Sequence, residues 1–415
     1  MIDRPKGEKR GGPPFTFIAP TPFFTEGGAS YRILALARGL VHLGITPTLL
    51  TYPAGRDWPG LPTLRPRRST RQMRIGFHPI RPIYDAELLQ LVLGHRVTPG
   101  GRVHAFLHEG ALLALVKQRL TGHPFVLDLQ GSLVEEVGRT FPGITRGKAL
   151  SMGRWAERQL ERSAAKVVVS SPGLYDQILQ RNVLPRERLY LLPDGVAVED
   201  FRPAFRRDPE RCAVWRKRYG LSKQDVVAIY VGGLSPEQGI DDIIERAPAM
   251  VREVPQLRFL LFGRPTQLNS EDQYRERIRA AGLEGRVQLP GPLPYEDLPQ
   301  ALEASDIGLT WKHGPREEAN GKIPVYMAAG LPTVTLRLPA SEHYFGMSGE
   351  NGGVIAESTT DAAAAVVRLA ADLGLRDRMG KTARSVAEQR LTLEIVAQNL
   401  LRIHEGAPVN GTEKT

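Results

Sequence analysis

Gly314-Pro315-Arg316-Glu317-Glu318-Ala319-Asn320-Gly321-Lys322-Ile323-Pro324-Val325-Tyr326-Met327-Ala328-Ala329-Gly330-Leu331-Pro332-Thr333-Val334 is the stretch on which the reading of the chain turns. It connects one strand candidate, Ile307–Thr310, to another, Thr333–Leu336. Between them lie a polar loop and a helix that opens at Lys322 and contains Met327. Strand, crossover helix and next strand form the repeating unit of a parallel sheet covered by helices.

Working outward, the second half repeats that unit. Val226–Val231 reads as a strand, followed by Gly232-Gly233 and a helix to about Val251. Leu257–Phe262 is a strand ending at Gly263, and Val287–Leu289 continues the sheet. The first half has the same alternation. Phe15–Ala19 is its first strand, a loop containing Gly27-Gly28 follows, and a helix runs from about Ser30 to Leu43, with Ile33, Leu34, Leu36, Ala37, Leu40 and Val41 on a helical period. Thr46–Tyr52, Val103–Leu107, Phe125–Leu129, Lys166–Ser170 and Leu189–Leu192 are further strand candidates. The Pro- and Arg-rich segment Asp200 to Pro209 is the expected linker, and Val386 to His404 reads as one amphipathic helix without caps. The expected organisation is a disordered lead-in (1–13), an N-terminal domain (14–200), a C-terminal domain (201–385), a helix (386–406) that packs back on the N-terminal domain, and a disordered tail (407–415). Two Rossmann-like domains hold a ligand at the C-terminal edges of their strands.

The 415 residues suit two domains of roughly 200 residues each. The single cysteine, Cys212, excludes an intramolecular disulfide and a cysteine-based zinc site, and points to a reducing, cytoplasmic compartment. No apolar run reaches the ~18 residues that span a bilayer, and Met1 to Lys6 is polar with no signal-peptide core behind it. The net charge of +10 lies wholly in the first half: residues 1–200 carry 27 Lys/Arg against 17 Asp/Glu, and residues 201–415 carry 28 of each. It is densest from Arg65 to Arg81, where six arginines occur without an acid. That run is either a solvated loop or a surface that meets anionic lipid or a phosphorylated acceptor. It lacks the interleaved aromatics of a nucleic-acid stacking platform, so no nucleic-acid partner is expected.

The chemistry suggested by the glycines and Lys322 is anion binding. Gly232-Gly233 directly after a strand permits close backbone approach to a phosphate, and Lys322 at a helix start can supply the cation. The bland alternatives are a tight turn and an exposed helix lysine. The sequence has no His-x-Glu-x-x-His, no Walker lysine motif and no Asp-x-Asp before an apolar strand, so neither a metal nor another cofactor is expected.

Four segments in register resemble the retaining glycosyltransferase family four, which has the GT-B fold. Leu192-Pro193-Asp194-Gly195-Val196 with Phe201-Arg202-Pro203 resembles its interdomain strand and linker. Tyr230 to Gly239 resembles its donor-domain glycine loop. Glu317 to Pro332 resembles its paired-glutamate signature, and Gly349-Glu350-Asn351-Gly352-Gly353 the loop that follows. The resemblance spans residues from about 15 to 405. It implies a metal-independent hexosyl- or related transferase that moves a sugar, with retention, from a nucleotide-sugar co-substrate to a carbohydrate or lipid-linked acceptor in surface polysaccharide or glycolipid assembly. The enzyme would be cytoplasmic or peripheral on the inner membrane face, with Arg65–Arg81 on anionic lipid.

The same resemblance assigns the site. Glu317 would approach the donor sugar hydroxyls, with Glu318 next to it leaving the register open. Gly232, Gly233, Gln238, Lys322, Val325 and Gly330 would line the donor side. Val325 stands where relatives carry a ribose-binding glutamate, Gly233 replaces an arginine, and Gln238 replaces a lysine. On the acceptor side, Gln130 stands where a histidine commonly faces the reacting sugar, and it cannot act as an acid or base at neutral pH. His108 is the other polar candidate there, or else a satisfied strand-end histidine, and Gly27 and Gly28 form the acceptor-side loop. Asp128 is expected to face away from Gln130. A degenerate, non-catalytic relative acting as a binding or scaffold subunit is the alternative that Val325, Gly233 and Gln130 motivate together.

Overall fold

The computed structural model describes residues 14–25, 27–66, 81–134, 146–265 and 270–408. The expected lead-in, the end of the tail and residues 67–80 of the arginine-rich run lie outside them. The chain divides into two compact units: it leaves the first after Pro193, builds the second, and returns to the first at Leu393.

The first unit has a seven-stranded parallel sheet: β1 (Phe15–Ala19), β2 (Thr48–Thr51), β3 (Thr63–Leu64), β4 (Arg102–Phe106), β5 (Phe125–Leu129), β6 (Lys166–Val169) and β7 (Leu189–Leu191), in the order β3-β2-β1-β4-β5-β6-β7. Its strands are apolar on both faces because helices cover both. One face is packed by α2 (Arg81–Gly94), α3 (Leu107–Thr121), α4 (Arg146–Ser163) and α5 (Pro172–Arg181), around Ile18, Ala105, Leu127 and Val167. Helix α1 (Gly28–His42) packs instead against the last helix of the chain, α14 (Leu393–Glu405). Gly39 allows that close crossing: a Cβ there would stand 2.3 Å from the Leu393 carbonyl oxygen.

The second unit has six parallel strands: β8 (Val226–Val231), β9 (Leu257–Phe262), β10 (Val287–Gly291), β11 (Ile307–Thr310), β12 (Thr333–Leu336) and β13 (Gly353–Ala356), in the order β10-β9-β8-β11-β12-β13. Two apolar clusters sandwich it. Ala228, Tyr230 and Leu261 face one, and Val227, Ile229 and Leu260 face the other. Its helices are α6 (Pro209–Arg218), α7 (Ile240–Glu253), α8 (Glu271–Ala280), α9 (Leu298–Glu303), α10 (Lys322–Ala328), α11 (Pro339–Phe345), α12 (Thr359–Ala371) and α13 (Leu373–Arg390).

Two expectations about organisation shift. The boundary after Pro193 precedes the expected linker, because Val196, Val198, Phe201 and Ala204 are buried in the second unit's core and the Ala204 amide donates to the Ala329 carbonyl at 2.9 Å. The helix expected from Val386 is two helices. Val386 lies in α13, which ends at Arg390, and Thr392 bridges to Val196 before α14 starts.

Candidate functional site

In the second unit the strand order reverses at β8, with β9 on one side and β11 on the other. Such a switch point opens a crevice at the carboxyl ends of the strands. Two segments enter it: Gly232-Gly233 from the end of β8, and the loop that leaves β11 and ends at Lys322, the first residue of α10. Gly232 has φ +154°, and a Cβ on it would lie 2.7 Å from Lys322 Cε and 3.3 Å from Nζ. The lysine therefore packs directly on the bare glycine backbone, and any side chain there would have to displace its end.

Two further contacts fix that ammonium, and hydroxyls brace its surroundings. Nζ donates to Gln238 Oε1 at 2.7 Å and lies 5.1 Å from the centre of the Tyr230 ring. The Tyr230 hydroxyl donates to the Gly233 carbonyl at 2.7 Å and reaches Gln238 Oε1 at 3.3 Å. The Tyr326 hydroxyl, one turn further along α10, accepts from the Val231 amide at 3.1 Å and ties the helix to the strand. The five residues Tyr230, Gly232, Gly233, Gln238 and Lys322 thus form one connected group. Burial pushes the Lys322 ammonium down to about 7, and the positive charge of Lys312 adds to that while Glu318 opposes it.

Of the two adjacent glutamates, Glu318 is paired within the loop. Glu318 is held by the buried Lys312, whose Nζ donates to Oε2 at 2.7 Å and to the Ala319 carbonyl at 3.2 Å. Glu317 is half-buried in the same loop. Val325 is half-buried and packs against the core cluster beneath α10. Gly330 stands apart from the expected donor side: it ends α10 at φ +61°, and a Cβ would lie 2.8 Å from the Phe205 ring and 3.1 Å from Pro203. That packing accounts for its glycine. Asn320, buried in the same loop, is a neighbour that the motif reading passed over; its Nδ2 donates to Thr310 Oγ1 at 2.8 Å and its Oδ1 finds no partner among the described residues.

In the first unit the switch point is at β1, between β2 and β4. Gly27 precedes α1 in extended backbone at φ −170°, and Gly28 opens the helix with nothing within 4 Å of a Cβ. Leu107 joins β4 to α3 at φ +63°, a left-handed conformation that costs a branched residue about 1–3 kcal/mol. The sharp turn puts His108 at the first turn of α3, where Nε2 is 3.8 Å from Glu157 Oε1. Glu157 is buried, accepting from Ser132 Oγ at 2.7 Å, from the Val134 amide at 3.1 Å and from Arg181 at 2.5 Å. Burial works against its ionisation, but the Ser132 hydrogen bond, His108 and Arg181 outweigh it and hold the carboxyl below its ordinary range. Glu161, one turn on, shares Arg181; burial and the Glu157 charge push it up to about 7 despite the arginine. The Gln130 side chain follows β5, and its Nε2 is buried with no partner among the described residues. The structure thus joins His108 to Glu157.

Asp128 requires a correction. It is two residues before Gln130, so strand alternation does not separate the two. What removes it from chemistry is its surroundings. It is fully buried and clasped by Arg32, with Nε to Oδ1 at 2.8 Å and Nη2 to Oδ2 at 2.9 Å, and His104 Nε2 lies 3.3 Å from Oδ2. Arg32 also donates to the Leu192 carbonyl at 3.1 Å, and His104 Nδ1 lies 3.2 Å from His404 Nε2. This chain of four polar residues, three buried and His404 half-buried, links α1, β5, β4 and α14. Bonded members of it stand up to 300 positions apart, and no motif announces them.

Known proteins share both halves of the chain. A family model described as "Glycosyl transferase 4-like domain" matches residues 27–195, and one described as "Glycosyl transferases group 1" matches residues 213–386. The alpha-D-kanosaminyltransferase of Streptomyces kanamyceticus is 28% identical over 319 residues, which cover 74% of this chain and 77% of that protein. The 2-deoxystreptamine N-acetyl-D-glucosaminyltransferase of Streptomyces fradiae is 27% identical over 338 residues, 75% of either chain. The crystal structure of Anabaena Alr3699/HepE in complex with UDP and glucose has a TM-score of 0.72 at 16% identity and covers 94% of this chain and 99% of that one. At that identity the likeness is one of fold: two parallel α/β units of the GT-B type.

Proposed function

The chain belongs to the group 1 glycosyltransferases of the GT-B fold, and from that membership we propose that it transfers a hexosyl or related sugar, with retention and without a metal, from a nucleotide-sugar bound by its second unit. The observation that carries this reading is the Lys322 ammonium packed on Gly232 at the switch point. A nucleoside diphosphate leaving group accumulates negative charge as the glycosidic bond breaks, and a fixed cation beside open backbone amides stabilises that charge without reorganising. In this role Lys322 supplies the charge that a divalent ion supplies in metal-dependent designs. Gln238 orients it, and Glu317 meets the sugar hydroxyls. Val325 offers the nucleotide ribose an apolar contact in place of hydrogen bonds.

The first unit takes the acceptor, a carbohydrate or a lipid-linked sugar, near Gly27, Gly28, His108 and Gln130. Gln130 can donate and accept hydrogen bonds but cannot take a proton, so the departing phosphate receives the proton of the acceptor hydroxyl. This suits a front-face displacement with retention. A role in surface polysaccharide or glycolipid assembly, at the cytoplasmic face of a membrane, belongs to the same proposal. Among the described residues no helix is long and apolar enough to cross a membrane. Arg65 is committed to Asp57 and to the carbonyls of Tyr52 and Ala54, so a lipid contact by that run would depend on its later arginines.

The test is a panel of nucleotide-sugars assayed for donor hydrolysis and transfer. Lys322→Ala should lower turnover at least ~10²-fold, the scale of losing one charge-stabilising group. An unchanged rate would remove Lys322 from the site, and nucleotide binding with no turnover of any donor would favour a non-catalytic subunit.

A further inference from the structure

Helix α4 of the first unit carries its charges in an unusual arrangement. Its two acids, Glu157 and Glu161, face inward and are taken up by Arg181, while Gly153 and Leu160 share that buried side. The opposite side is exposed. At 100° per residue, Lys148, Met152, Trp155, Arg158 and Arg162 fall within about 120° of one another on it. Met152 is 71% and Trp155 65% exposed, so the helix holds a large apolar pair in water between cations.

The neighbouring helices extend the same character. α2 packs on α3 and α3 on α4, all over the same core cluster. These helices expose Ile83, Leu93, Leu112 and Leu120. Among their described residues the exposed ionisable side chains are Arg119, Lys148, Arg154, Arg158 and Arg162, all cationic. Of the half-buried acids, Glu109 pairs with Arg81 at 2.7 Å and Asp85 accepts from the Tyr52 hydroxyl at 2.5 Å, while Glu87 has its Oε2 buried away from water.

We infer that this three-helix layer, centred on the Lys148–Arg162 stripe of α4, is a docking surface for a bilayer containing anionic lipid. Lipid phosphates complement a layer whose exposed ionisable side chains, among the described residues, are all cations, and each cation near such a surface contributes attraction that salt screens. Trp155 has the amphipathic ring that settles at the headgroup level, and Met152 beside it adds apolar area that inserts below. A folded protein partner would be expected to meet at least some acidic counterparts on the layer; a bilayer demands none. The surface needs no donor chemistry, so it stands or falls apart from the transferase reading.

The experiment is sedimentation of the full chain with vesicles of equal parts phosphatidylglycerol and phosphatidylcholine, against vesicles of phosphatidylcholine alone. The protein should sediment with the anionic vesicles at low salt, be released as salt rises, and remain in the supernatant with the neutral ones. Lys148→Glu with Arg158→Glu, and separately Met152→Ser with Trp155→Ala, should each weaken partitioning at least ~10-fold, as loss of two anchoring side chains implies. Unchanged thermal unfolding and donor hydrolysis in both variants would exclude misfolding as the cause. Wild-type protein that stays in the supernatant, whether or not a protein partner is found for the surface, overturns the inference. So does sedimentation equal with both vesicle types, or unaffected by the substitutions.

Discussion

At the scale of single residues, the position of Lys322 was legible but its state was not. The opening of a helix after a polar loop could be read from the sequence, and so could the glycines after β8. That the lysine lies on Gly232, with its charge opposed by burial and by Lys312, depends on segments some 90 positions apart and emerges only in three dimensions. The same holds for Glu318, whose pairing with the buried Lys312 no motif announces. The titration of Lys322 has a direct consequence. With its folded value pushed down to about 7, the group is cationic below that and increasingly neutral above. A bound diphosphate favours the cation and pulls the value back up, so binding must take up a proton where the free site is neutral. At pH 8 to 8.5, titration calorimetry of a nucleoside diphosphate in buffers of different ionisation enthalpy should show uptake of a sizeable fraction of a proton, falling towards zero near pH 6. Lys322→Arg should abolish that uptake. Uptake that is absent in the wild type, or that persists in the arginine variant, would assign the proton elsewhere.

At the scale of elements, strands with continuous apolar runs such as Val226–Val231 and Leu257–Phe262 could be read end to end, because a strand buried on both faces needs that composition. β3, of two residues, and β13, which opens on a glycine, lack such a run and draw their pairing from a neighbour already in place. The break between α13 and α14 was illegible for another reason. Leu391 and Leu393 are both buried, so the apolar pattern runs on through the turn. What fastens α14 to the first unit is partly polar. Lys166 donates to the carbonyls of Ile403 and His404 at the helix end, Arg102 pairs with Glu405 at 2.7 Å, and the buried chain from Arg32 through Asp128 and His104 ends on His404. Burial alone would raise the Asp128 carboxyl, but the Arg32 charge and the hydrogen bonds from His104 and Arg32 prevail and hold it below its ordinary range. A group with a depressed folded value contributes stability that is present above its unfolded value and lost as pH falls through the folded one. Asp128→Asn should therefore cost about 3–5 kcal/mol at neutral pH, since it leaves Arg32 buried without a counter-charge. Urea unfolding of the first unit should show that gap closing as the medium is acidified below pH 4. A gap independent of pH would mean that the substitution acts through packing rather than charge.

At the scale of the whole molecule, the first unit is discontinuous: its sheet is complete by β7, yet its outer layer waits for α14, made after the entire second unit. Leu393, Val396, Leu400 and Ile403 are buried there, and burying such side chains is worth ~1.5–3 kcal/mol each, or about 6–12 kcal/mol together. That is comparable with the whole stability of an ordinary domain, about 5–15 kcal/mol. The second unit has no such debt to the chain end. Its two core clusters draw on residues from Val196 to Leu391 alone. A chain ending at Thr392 should accordingly lose the first unit and keep the second. Hydrogen exchange on that truncated chain would read the two separately: amides of β1, β4 and β5 should exchange at rates near those of an unfolded chain, while those of β8, β9 and β11 stay protected. The nucleotide affinity of the second unit should survive within about threefold, because Lys322, Gln238 and the glycines all lie in it and their mutual contacts are internal to it. Gly39→Ala in the full chain offers a milder form of the same lesion, since its methyl group would push α14 off α1 at a cost of about 1–3 kcal/mol. If β1 and β4 stay protected in the truncated chain, α14 is a passenger on a unit that folds without it. Loss of protection in β8 as well would mean that the two units unfold as one.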